Sequence, residues 1–80
     1  MSREEREFAV FGFASTHDAL AAEALLKDAG LAVVPVPAPH ELGALCGIAL
    51  RLPPSDAGRA RDVLVSASIQ PTGEVAMSDV

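Results

Sequence analysis

Five small or apolar residues, Ala19, Ala22, Leu25, Leu26 and Ala29, return 38 positions later as Ala57, Ala60, Val63, Leu64 and Ala67. The shared spacing lays each set along one face of an α-helix, because residues three and four apart stack on the same side. Both faces are narrow and rich in alanine, which suits helices that lie close against a sheet. The repeat therefore predicts two copies of one unit, and what flanks each helix decides what the unit is.

Residues 8–13 form a short apolar run, Phe-Ala-Val-Phe-Gly-Phe, bounded by charge on one side and by Ser15-Thr16 on the other. That pattern predicts a central strand with both faces at least partly covered. Ser15 and Asp18 make a serine-x-x-acid start signal for the first helix, in which the hydroxyl accepts from an early helical N–H and the carboxylate reaches back. Gly30 supplies the left-handed residue that ends it, and Glu23 and Lys27 form an i,i+4 pair on its outer side. Residues 31–36 are apolar and β-branched but contain Pro35, which lacks the N–H a central strand needs, so they are placed at a sheet edge. Pro37 and Pro39 force a loop. Residues 48–52 make a third strand, closed by Pro53-Pro54, with Arg51 directed away from the core and Ser55 available to cap the second helix. After the turn at Pro71-Thr72-Gly73, residues 73–77 complete a fourth strand.

The order β-α-β, twice, in 80 residues leaves too few strands for a three-layer doubly wound sheet. Two such halves with right-handed crossovers give an α+β, ferredoxin-like split βαβ fold (βαββαβ): a four-stranded antiparallel sheet, strands one and three central, with two helices on one face. The expected organisation is a single domain over residues 1–80, its core at about 8–77 and a flexible N-terminal tail at 1–6. The last few residues after Met77 are expected to be equally loosely held. With no Trp or Tyr and fifteen alanines, the core depends on Leu, Val, Ile and three Phe, each contributing roughly 1.5–3 kcal/mol when buried.

Six Lys and Arg against eleven Asp and Glu leave a formal charge of -5, the wrong sign for binding driven by counterion release from phosphate. Nucleic acid is not expected as a partner. The mixed charges of residues 3–7 have no apolar segment of secretory type behind them, and prolines interrupt the other long apolar stretch before it reaches membrane-spanning length. The expected location is the cytoplasm, where thiols stay reduced.

Chemistry is confined to few residues. Cys46 is the sole cysteine, so a monomer holds neither an internal disulfide nor a multi-cysteine zinc site. Two readings of it stand side by side: an exposed thiolate nucleophile or group carrier, with Gly47 letting another molecule approach the backbone, or a buried small apolar side chain. His40 and His17 could pair with it only through proximity in space, and the three lack the tight ligand spacing of a metal site, so no metal is assigned. Ser15, Thr16 and the free N–H groups beside His17 could receive an anion, which Asp18 would oppose. No glycine-rich phosphate loop, Ser-His-Asp order or catalytic carboxylate pair is visible, so no cofactor is expected and a stand-alone enzyme is disfavoured. The alternating prolines at 35, 37 and 39 suit a rigid exit from an edge strand better than a polyproline recognition motif.

The segment Phe-Gly-Phe-Ala-Ser-Thr-His-Asp-Ala-Leu at 11–20, the helix continuation at 23–30 and the proline-containing stretch at 35–50 ending Leu-Cys-Gly-Ile-Ala-Leu resemble a small bacterial family described as selenium/sulfur carrier-like. The resemblance covers roughly residues 8–70. It implies a carrier whose cysteine, here Cys46 with Gly47 beside it, holds a persulfide or selenopersulfide and passes it on. A cysteine desulfurase or another sulfur- or selenium-transfer protein is then the implied partner. His40 stands where the resemblance leads one to expect arginine, and Ala44-Leu45 where it leads one to expect small hydroxyl residues. The alternative from another class is a non-catalytic regulatory or interaction domain of the same fold, with Cys46 as packing. A homodimer, or a complex with a sulfur-handling protein, is expected through the uncovered sheet face or an edge strand. Phe8, Val10 and Gly12 alternate with Ala9, Phe11 and Phe13, so at least one Phe must face away from the helices.

Overall fold

The computed structural model describes residues 7–38 and 47–78. Strand β1 (Glu7–Gly12) leads to helix α1 (Thr16–Asp28), strand β2 (Val34–Pro37), strand β3 (Ile48–Leu52), a short 3-10 turn (Pro54–Asp56), helix α2 (Ala57–Ser66) and strand β4 (Gly73–Ser78). The four strands form one sheet in the order β2-β3-β1-β4, every neighbouring pair antiparallel. This is the ferredoxin-like α+β arrangement, with β1 and β3 central and the proline-bearing β2 at an edge.

The two faces of β1 set up two apolar layers. Ala9, Phe11 and Phe13 point to the helices and pack with Leu50 and Leu52 of β3, Ala19, Ala22 and Leu26 of α1, and Ala57, Ala60 and Leu64 of α2. Phe11, Ala19, Ala22, Leu26, Leu52 and Ala60 lose all contact with solvent. Alanines at Ala19, Ala22, Ala57 and Ala60 let the helices lie close to the sheet, and Phe11, Phe13, Leu50 and Leu52 together with Leu26 and Leu64 fill the layer between them. On the opposite face Val10 and Ala49 are also fully buried, beneath Phe8, Val36, Ala38, Val75 and Met77. That face is apolar, and it receives Phe8, over whose ring the Arg51 guanidinium sits at 4.3 Å.

The repeat reaches into the helix ends. Gly30 adopts φ +83°, Gly30 N–H donates to the Lys27 carbonyl at 2.9 Å and Leu31 N–H to the Leu26 carbonyl at 3.1 Å, the pairing of a Schellman motif. In α2 the equivalent residue is Ser68, at φ 61°. Its N–H donates to Val65 at 3.0 Å and that of Ile69 to Leu64 at 2.9 Å. The second half thus copies the first with a serine in a glycine's conformation.

Three local expectations need correction. The apolar stretch expected as a strand over 31–36 enters the sheet only at Val34 and continues to Pro37. Leu31 and Val33 are buried, but Leu31 N–H is committed to the end of α1 and Val33 N–H to the Leu31 carbonyl, so these residues fill the core without joining the ladder. Ser55 does not cap α2. It lies inside the 3-10 turn, where Asp56 N–H donates to the Pro53 carbonyl at 2.9 Å, and α2 starts after Asp56 with no side-chain cap bond. The reciprocal reach of the Asp18 carboxylate is likewise replaced by a single bond, Asp18 N–H to Ser15 Oγ at 3.1 Å. The Glu23 and Lys27 pair forms as expected, at 3.0 Å.

Candidate functional site

Antiparallel pairing places Ser15, Thr16, His17 and Gly47 at one end of the sheet. Gly12, at the close of β1, stands opposite Ala49 of β3, so Gly47, just before β3, lies at the same end as the turn leading from β1 into α1. Ser15 caps that helix in an extended conformation (φ -144°, ψ 158°). Ser15, Thr16 and His17 are all exposed. The Ser15 hydroxyl accepts from Asp18 N–H, which satisfies one of the four N–H groups left unpaired at any helix start.

Gly47 is exposed and held at φ +60°, and among the described residues a Cβ built there would meet no atom within 4 Å. An L-residue in this region costs roughly 1–2 kcal/mol, so backbone conformation alone explains the glycine. The Gly47 carbonyl accepts from Ala38 N–H at 3.1 Å, which ties together the residues on either side of segment 39–46. Cys46 and His40 lie outside the described residues. Among the described residues there is no group of three or more His, Cys, Asp and Glu side chains that could hold a metal ion.

A feature that sequence reasoning missed sits between α2 and β4. Arg61 of α2 reaches Glu74 of β4 with two parallel bonds, Nε to Oε1 at 2.8 Å and Nη2 to Oε2 at 3.0 Å. Arg61 borders a cleft of about 530 Å³ floored by Phe11, Leu64, Ile69 and Pro71. The hydrogen bond from Arg61 holds the Glu74 carboxyl below its ordinary value; burial opposes it, and the charge of Arg61 adds a smaller downward effect. The same bond and the charge of Glu74 raise the guanidinium. Thirteen residues separate the pair, and no local periodicity links a helix residue to a strand residue across a turn. The cleft is lined by none of Ser15, Thr16, His17 or Gly47, although Pro71 and Glu74 stand beside the close of β1, where Thr72 N–H donates to the Gly12 carbonyl at 2.8 Å.

No described helix is long and apolar enough to cross a membrane. The arrangement defines a small α+β domain of ferredoxin-like fold, with Ser15, Thr16, His17 and Gly47 at the end of the sheet where β1 closes and β3 begins. Residues 8–75 match the model of the family described as "Putative Se/S carrier protein-like", and the chain belongs to that family. No curated protein and no solved structure matches the chain.

Proposed function

We propose that this protein carries sulfane sulfur, or selenium, as a persulfide or selenopersulfide on Cys46. The observation that carries the reading is the family match, which spans residues 8–75 and so includes Cys46. Two features support it. Cys46 is the sole thiol in the chain, and the residue after it, Gly47, is exposed, with no described residue within 4 Å of its Cβ side.

Loading is a thiol exchange with no net redox change. The Cys46 thiolate attacks the outer sulfur of a donor persulfide, of the kind a cysteine desulfurase forms; the donor S–S bond breaks, and the donor leaves as its thiolate. Unloading repeats the step, with an acceptor nucleophile attacking the outer sulfur and Cys46 leaving. Ser15, Thr16 and His17, at the same end of the sheet as Gly47, would meet the donor or acceptor as it docks.

The test is the reactivity of the native thiol. A carrier's Cys46 is alkylated by iodoacetamide at the rate of an accessible thiolate, and Cys46→Ser leaves the urea midpoint nearly unchanged. Alkylation that proceeds only as fast as the chain unfolds, together with a large loss of stability in Cys46→Ser, would assign the cysteine to packing instead.

A further inference from the structure

The hydrogen-bond phase of the sheet shows which backbone groups face outward at each edge. Ala38 N–H donates to Gly47, and the pairing Pro37 with Ile48, Val36 with Ala49 and Val34 with Arg51 continues that register. Bonded and non-bonded pairs alternate in an antiparallel ladder, so Val34, Val36 and Ala38 turn their backbone groups toward β3 while Pro35 and Pro37 turn theirs outward. Each of these two outward positions on β2 is thus a residue without an N–H, which blunts the edge against strand addition.

The same alternation carries across the sheet. Ile48, Leu50 and Leu52 face β1, Ala9 and Phe11 answer them, and Phe8, Val10 and Gly12 face β4 opposite Met77, Val75 and Gly73. Glu74, Ala76 and Ser78 therefore direct their backbone N–H and C=O groups away from the molecule. No proline stands among them, Ala76 is exposed, and among the described residues no strand lies beside this edge.

We infer that β4 is a dimerisation edge, pairing antiparallel with β4 of a second copy about a two-fold axis at Ala76. The self-complementarity of the strand selects this occupant. With Ala76 opposite its own counterpart, Val75 falls opposite Met77 of the second copy, which makes the apolar face shared with Phe8 and Val10 continuous across both sheets. Glu74 falls opposite Ser78 and not opposite a second carboxylate, and its charge is already met by Arg61 within its own chain. A blocked β2 edge and an open β4 edge also favour a closed dimer, since β4-to-β2 addition, which would propagate into a filament, is denied its donors.

Amide hydrogen exchange and sedimentation equilibrium on the full chain test this independently of any role for Cys46. The Ala76 amide, which has no acceptor within its own sheet, is expected to slow by about tenfold or more between low-micromolar and high-micromolar concentration, as the sedimenting mass doubles. Ala76→Pro removes the outward donor without touching the β1 ladder, and Ala76→Lys sets like charges opposite each other across the axis. Both variants are expected to sediment as monomers, and Ala76→Lys serves should the proline disturb folding. A wild type that stays monomeric throughout, a dimer whose Ala76 amide exchanges freely, or a dimer that survives Ala76→Lys would each overturn the inference.

Discussion

At the scale of single residues, conformation explains more than contact does. Ser68 holds the left-handed position that Gly30 holds in the first half, and a side chain there carries a cost that glycine avoids. Ser68→Gly should therefore stabilise the fold by about 0.5–1 kcal/mol, less than the full cost because glycine also gains freedom in the unfolded chain. Thermal unfolding should show the gain as a rise of a few degrees in midpoint; an unchanged or lower midpoint would mean that Ser68 makes a contact worth more than its strain. The same comparison shows what was legible in the sequence. Gly30 announced its turn, whereas Ser68 did not, although its place 38 residues further on was a signal available in the repeat. Gly47 was singled out in the sequence for close approach by another molecule; its φ of +60° supplies a backbone reason for glycine that the sequence did not carry.

At the scale of elements, the helices were legible because amphipathic spacing is a local property, and the strand bounds were less so. Leu31 and Val33 look like strand residues since burial selects the same apolar types whether or not the backbone pairs. The ferredoxin-like order followed from the repeat, because two helix faces of the same spacing, each flanked by extended segments, make two β-α-β halves. The α2–β4 tie was not legible, as Arg61 and Glu74 meet only in three dimensions. Leu26 is buried completely in the layer between helices and sheet, so Leu26→Ala should cost about 2–5 kcal/mol, a large share of the roughly 5–15 kcal/mol that holds a typical domain. Urea titration should show a markedly lower midpoint or a chain already partly unfolded in buffer. The Arg61 and Glu74 bridge predicts a small effect with a definite sign. Because Glu74 is held below its ordinary value, its contribution is present above the unfolded carboxyl value of about 4.3 and is lost as pH falls through the lower folded value. Glu74→Gln should be less stable than wild type at neutral pH, and the difference should close in acid. A difference that grew in acid would contradict the assignment.

At the scale of the whole molecule, the two edges of the sheet and its two ends divide the work. The prolines of β2 blunt one edge, so replacing both Pro35 and Pro37 with Thr should restore outward donors and convert a defined species into larger, concentration-dependent assemblies. Light scattering would register them, and a double variant that scattered like wild type would show that the prolines serve only the local turn. The end of the sheet where β1 closes and β3 opens gathers Ser15, Thr16, His17 and Gly47, and the family to which the chain belongs directs attention to the cysteine beside that glycine. Cys46 could be named from sequence because it is the chain's sole thiol within a recognisable segment, whereas its donor and acceptor leave no mark in one chain's residues. The central claim is that this thiol bears a transferable sulfur. Intact-mass spectrometry after incubation with a cysteine desulfurase and cysteine tests it most directly. Wild type is expected to gain one sulfur atom, localised to Cys46, removed by a thiol reductant and absent from Cys46→Ser; a native, alkylatable Cys46 that gains no sulfur would contradict a carrier role.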